Sequence, residues 1–144
     1  MNYDDFKRLY AAPRTHRPQH HHEDTLQKAC VAWFDYTHKD LSLYLHHSPN
    51  GGFRNASEAA KFKAMGVRAG FPDLVLLVPR GKCPFLAIEL KYGRNGQSPR
   101  QKEYQKALEA IGARYVVCKT IEEFKKVIEE YLKSRQYEWQ KQEQ

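Results

Sequence analysis

No apolar run in the 144 residues approaches the roughly 18 needed to cross a bilayer, and mean hydropathy is -0.79. A transmembrane role is therefore not expected. The opening stretch MNYDDFKRLY carries acidic residues and no apolar core, so it does not read as a secretory signal. Cysteine is scarce: Cys30, Cys83 and Cys118 are isolated, odd in number and set among apolar residues. That pattern predicts free thiols in a reducing, cytoplasmic setting rather than a disulfide framework. There is no internal repeat and too little chain for a second domain of ordinary size.

Basic residues, in contrast, are in excess, with 24 Lys and Arg against 17 Asp and Glu. The excess is local. Residues 1–53 balance at zero, residues 120–144 sum to -1, and residues 54–119 hold thirteen basic against five acidic residues, or +8. A charge concentrated in one segment predicts a basic surface beside whatever that segment builds, and a polyanionic partner.

Residues 1–22 read as an arm, with Pro13, Pro18 and four histidines breaking any periodicity. The His20-His21-His22 run suits either a metal-binding tract or a solvated loop, and the loop is favoured. From Glu23 a helix is expected, with Leu26, Ala29, Cys30, Trp33 and Phe34 at three- and four-residue spacing. Leu43–Ser48 reads as a strand, then a turn at Pro49–Gly52. Asn55-Ala-Ser-Glu58 has capping-box form and starts a helix to Met65. Asp73–Val78 is expected as a strand buried on both faces, paired as a hairpin with Pro84–Lys91. Ser98 caps a helix whose expected inner stripe is Tyr104, Ala107, Leu108 and Ile111. Ala113–Cys118 is a further core strand. Thr120 caps a last helix burying Ile121, Phe124, Ile128 and Tyr131. After about Leu132 the chain is charged and Gln-rich, and 133–144 reads as a tail. The order is α-β-α-β-β-α-β-α, which predicts an α/β fold with a mixed central sheet flanked by helices.

The hairpin carries charge where a core should be. Alternation puts Leu86, Ile88 and Leu90 on one face and Glu89 and Lys91 on the other. A carboxylate and an ammonium on a core strand are costly to desolvate, so a metal, a substrate or their mutual pairing must compensate. Asp73 opens the partner strand, and across a twisted hairpin it converges with Glu89. Two converging carboxylates make a hard-oxygen site suited to Mg2+ or Mn2+, as phosphodiester hydrolysis requires. Lys91, two residues on, is placed to orient water or to stabilise charge on phosphorus. Gln101, in the first turn of the next helix, is in reach of the lysine or a phosphate. Either element alone is ordinary, since Glu-x-Lys is a common surface ion pair and Gly-x-Pro-Asp a common turn. Sixteen residues apart on hairpin partners, they are specific.

Asp73 followed by Glu89-Leu90-Lys91, with Pro72 before the aspartate, resembles the PD-(D/E)XK nuclease pattern. His47-Ser-Pro-Asn-Gly-Gly52, Phe62-Lys-Ala-Met-Gly66, Gly70-Phe-Pro-Asp73 and Ser98-Pro-Arg-Gln101 with Tyr104 resemble the virus-type replication-repair nuclease (VRR-NUC) domain, over residues 23–132. The resemblance implies a restriction-endonuclease-like core and a divalent-metal-dependent DNA endonuclease using Mg2+ or Mn2+, with no small-molecule cofactor. It makes Asp73 and Glu89 metal ligands, Lys91 the water-orienting or transition-state residue, and Gln101 its helper. It adds a backbone carbonyl from Leu90, and Glu23 as a helix glutamate completing the site; the plain alternative for Glu23 is a residue facing the helix dipole. It also implies a homodimer acting on branched DNA such as four-way junctions, in a bacterial or phage-infected cell. DNA phosphate contacts are expected from Asn50 and Arg54 in the loop, and from Lys61, Lys63, Arg68, Arg94, Arg100 and Lys102. Tyr92 either stacks on a base or packs over the hairpin, Tyr104 reads as core, and His46 and His47 read as structural histidines. Three rivals predict other behaviour: a DNA-binding module without catalysis, a sequence-specific restriction enzyme, which would need a base-reading loop not evident here, and an RNA nuclease, which the charge fits equally.

Overall fold

The amphipathic stretches expected from sequence close around one sheet. The computed structural model describes residues 18–49 and 55–134. Helix α1 spans Pro18–Thr37 and is followed by a 3₁₀ turn at Lys39–Tyr44. Strand β1 is Leu45–His47, helix α2 Ala56–Ala64, strand β2 Leu74–Leu76 and strand β3 Leu86–Leu90. Helix α3 is Pro99–Ala110, strand β4 Arg114–Cys118 and helix α4 Ile121–Lys133. The expected element order therefore holds, with the 3₁₀ turn added. The sheet order is β1-β2-β3-β4. β2 pairs antiparallel with β1 and with β3, and β3 pairs parallel with β4, so α3 forms the crossover between parallel neighbours.

Three boundaries differ from the sequence reading. α1 begins at Pro18, within the stretch taken for an arm, because proline at the first helical turn sacrifices no hydrogen bond. The strand expected over Leu43–Ser48 starts only at Leu45, after the 3₁₀ turn, in which Leu43 is 92% exposed. The strand expected over Asp73–Val78 covers three residues, and Leu77 turns out to solvent.

One sheet face carries the core. Leu74, Leu76, Leu86, Ile88, Leu90 and Cys118 meet Cys30 and Phe34 of α1 and Phe124, Ile128 and Tyr131 of α4, all essentially without exposure. Burying each such side chain stabilises by about 1.5–3 kcal/mol. The Tyr131 hydroxyl satisfies itself by donating to the Val78 carbonyl at 2.6 Å. Cys30, Cys83 and Cys118 are all free thiols. α3 behaves differently from its expected stripe: none of its residues is buried, and Ile111 just beyond it is 65% exposed. Its start is nonetheless fixed closely. Gly70 has φ +80°, and a Cβ there would lie 2.8 Å from backbone and side-chain carbons of Arg100, so only glycine lets the loop before β2 approach α3. Among the described residues, no helix is long and apolar enough to cross a membrane.

Candidate active site

The second sheet face holds the site. Alternation along β3 turns Ala87 and Glu89 away from the core, and the register Leu74↔Ile88, continued by one step, sets Asp73 opposite Glu89. Asp73 is anchored by its Oδ2, which accepts the Leu90 N–H at 2.7 Å. Its main-chain carbonyl is 2.6 Å from His47 Nδ1, which donates to it from β1. Both neighbouring strands thus hold Asp73 in place.

Glu89 is the one buried charged residue among the described residues, at 2% exposure. Its Oε1 accepts from Gln101 Nε2 at 2.7 Å, and its Oε2 from the Tyr115 hydroxyl at 3.3 Å. Lys91 Nζ approaches Oε1 only to 4.0 Å, the outer limit of an ion pair. Burial first, then the charge of Asp73 and a hydrogen bond to it, push the Glu89 carboxyl up to about 9, against the opposing pull of Lys91. Without a cation the pair therefore keeps a proton at neutral pH. Two adjacent carboxyls with too little positive charge beside them are what a hard divalent ion satisfies, by replacing that proton. The donor set thus fits Mg2+ or Mn2+.

Gln101 serves two partners. Its Oε1 accepts the Ser98 N–H at 2.8 Å, closing the capping box at the start of α3, while its amide donates to Glu89. The helper expected for the lysine or a phosphate is instead a clamp on the glutamate. The network continues through residues that carried no functional expectation. Gln97 Nε2 donates to the Tyr115 hydroxyl at 3.3 Å and to Gln105 Oε1 at 3.0 Å. Burial and the Glu89 charge push the Tyr115 phenol up, so it remains a donor. The sequence signal for Tyr115 was available: a tyrosine inside a core strand needs a partner for its hydroxyl.

Of the other expected site residues, Leu90 touches the carboxyl pair directly. Among the described residues, no three of His, Cys, Asp and Glu group closely enough to hold a metal. Glu23 is held instead by Asn95 Nδ2, 3.4 Å from its Oε1, so α1 is tied to the loop after Lys91. Tyr92 stacks on His22 at 4.2 Å between ring centroids and 10° between planes, rather than over the hairpin. Leu90 enters the site through its N–H. Lys61, Lys63, Arg68, Arg94, Arg100 and Lys102 are all exposed. Arg100 pairs with Glu103 at 3.0 Å, and Arg68 Nη1 donates to the Lys63 carbonyl at 3.0 Å, so neither is a simple solvated charge. Asn50 and Arg54 lie outside the described residues. Tyr104, expected in the core, is half-buried against Phe71 at 5.6 Å, edge to face.

This geometry agrees with known proteins. The model of the VRR-NUC domain matches residues 10–121. The chain belongs to the VRR-NUC family. A solved structure described as a VRR_NUC domain protein is 38% identical, with a TM-score of 0.71 over 81% of this chain and 92% of that one. No curated protein matches. The family match begins inside the stretch read as an arm and ends at the first residue of α4. VRR-NUC membership gives the chain a nuclease-type function on DNA.

Proposed function

We propose that the chain is a divalent-metal-dependent, structure-selective DNA endonuclease that acts as a homodimer on branched DNA such as four-way junctions. The observation that carries the metal-dependent reading is the buried Asp73–Glu89 pair, with Lys91 at its edge and Gln101 clamping it. Asp73 and Glu89 would hold the ion, with the Leu90 carbonyl as a third donor. When bound, Mg2+ or Mn2+ supplies Lewis acidity at the phosphoryl oxygen and makes water a better nucleophile near neutral pH. Lys91, 12% exposed, keeps its ammonium toward the carboxyl pair, where it orients the attacking water or neutralises charge developing on the phosphate. Gln101 and Tyr115 fix the Glu89 carboxyl plane, so little reorganisation remains when substrate arrives. The exposed lysines and arginines of residues 54–119 hold the phosphate backbone, which makes binding steeply salt-dependent. No element among the described residues has the form of a base-reading helix or ribbon, which favours recognition of DNA shape over sequence. A two-fold dimer would present two such sites to a symmetric junction. The three free thiols suit a reducing, intracellular setting.

The test incubates the purified chain with labelled junction, flap, duplex and single-stranded DNA, comparing Mg2+, Mn2+, Ca2+ and EDTA. Cleavage of branched substrates with Mg2+ or Mn2+, lost in EDTA and in Lys91→Ala, is expected. Cleavage that survives EDTA sinks the metal mechanism, and cutting at one short sequence in linear duplex favours a restriction-type enzyme. Light scattering tests the dimer.

A further inference from the structure

Beside the carboxyl pair lies a pocket of about 520 Å3 that the phosphate chemistry does not use. It opens between β1, the end of α2, the loop after it and α3. Phe62, Met65, Phe71 and Tyr104 supply apolar and aromatic walls, with His47 and Arg68 as polar members. Its size falls in the range of about 300–1,000 Å3 typical of sites that enclose a small organic group. Two links tie it to the reaction centre. His47 is a wall of the pocket and also donates to the Asp73 main-chain carbonyl at 2.6 Å. Phe71, two residues before Asp73, is set edge to face on Tyr104 at 5.6 Å, three residues after Gln101.

A phosphate gains little from such walls, because an anion against phenyl and thioether groups loses its hydration without replacement. A nucleobase suits them: its flat face stacks on aromatic rings whatever its sequence, and its edge finds an imidazole and a guanidinium. Arg68 stands fixed here, its Nη1 held by the Lys63 carbonyl at 3.0 Å and near the Val67 carbonyl at 3.5 Å. Its charge is thus available to the backbone of the same nucleotide. Met65 is 70% exposed, a large apolar side chain left to water in a strongly basic segment.

We propose that this pocket receives one unstacked nucleobase of the DNA, next to the scissile phosphate at the Asp73–Glu89 site. The inference rests on the nuclease reading and sharpens it. Taking a base out of its stack costs least where it is already unpaired or at a branch. The pocket therefore selects for DNA structure without reading sequence, and it stands as the specificity element of the site.

The test uses the full chain and a junction or flap whose cleaved bond has first been mapped with Mg2+. With Ca2+ in place of Mg2+, 2-aminopurine is placed at successive positions around that bond. A severalfold emission change on binding, confined to one or two positions adjacent to the bond, is expected. An abasic site at the same position should weaken binding by about 5- to 100-fold. Met65→Trp, which fills the pocket from an exposed position, should remove the emission change. A chain that binds and cuts DNA but shows the same response at every position, and tolerates the abasic site, overturns the pocket and leaves the nuclease reading intact. A chain that neither binds nor cuts any of these DNAs overturns both.

Discussion

The two faces of the sheet are built from the same strands and do opposite things. On one face, Leu86, Ile88 and Leu90 of β3 are sealed under α1 and α4 by residues with essentially no exposure. On the other, Glu89 of the same strand meets α3, which buries none of its own residues fully and reaches Glu89 through the Gln101 amide. Apolar packing carries the stability on the first face. The second gives up packing to keep a carboxyl pair in a defined geometry, with one carboxyl pushed up to about 9. A period of two along one five-residue strand is enough to separate the two tasks.

Paired substitutions break that comparison most strongly. Glu89→Gln should bring cleavage below detection, because the amide cannot replace an anionic ligand, while the protein folds normally by circular dichroism. Lys91→Ala should cost about 10²–10³-fold in kcat. On the opposite face, Phe34→Ala should cost about 3–5 kcal/mol in urea unfolding, yet leave kcat per folded molecule unchanged. If Phe34→Ala lowers kcat as much as it lowers stability, the faces are not separable in this way.

The pH dependence follows from the site face alone. The raised Glu89 carboxyl means that, between about 4.5 and about 9, the folded protein binds a proton that the unfolded chain has released. Its contribution to stability is therefore full below about 4.5 and is lost as pH rises through about 9. The metal-free thermal midpoint should fall by several degrees between pH 5 and pH 9, and Glu89→Gln should flatten that slope. Millimolar Mg2+ should reverse it, with proton release measurable by calorimetry in buffers of different ionisation heat. A metal-free midpoint that rises over this range contradicts the proton on Glu89.

Gln101→Ala should have a smaller effect, about 10–100-fold on Mg2+-dependent cleavage, since it removes the clamp and not the ligand. The apparent Mg2+ affinity is expected to weaken alongside. Loss of activity at saturating Mg2+ with unchanged Mg2+ affinity would instead place Gln101 on the substrate.

How much of this the chain disclosed in advance follows the same division. The core face was legible because its signals are local: Phe124, Ile128 and Tyr131 repeat at helical spacing, and all are buried. Asp73 and Glu89 were legible because strand parity and a hairpin suffice to bring them together. The rest of the site depends on tertiary approach. Gln101 meets Glu89 only because α3 crosses back over the sheet, Tyr115 meets it because β4 pairs beside β3, and Gln97 joins through Tyr115; no spacing in the sequence encodes these contacts. The stripe read on α3 misled for a related reason. Its few apolar residues resemble a core face, but only Tyr104 and Leu108 are partly buried, while Ala107 and Ile111 stay exposed. Pro18 read as a breaker because its place at a helix start is decided by residues that follow it.

The smallest predicted effects use one device present on both faces. Thr120 accepts the Glu123 N–H at 3.1 Å at the start of α4, and the Glu123 carboxylate accepts the N–H of Lys119, one residue before the cap, at 2.6 Å. Ser98 accepts the Gln101 N–H at 3.2 Å at the start of α3, and its own N–H donates back to the Gln101 side chain at 2.8 Å. Removing either hydroxyl leaves one helical N–H without its partner, so Thr120→Ala and Ser98→Ala should each cost about 1 kcal/mol in chemical denaturation. Their consequences for cleavage should differ. The cap on α4 has only the core beneath it, and its loss should leave kcat unchanged at a temperature where the protein stays folded. The box on α3 ends in the side chain that clamps Glu89, and its loss should lower cleavage severalfold at the same small cost in stability. Equal activities in the two variants would mean that Gln101 holds its place without the cap, leaving the first turn of α3 as scaffold alone.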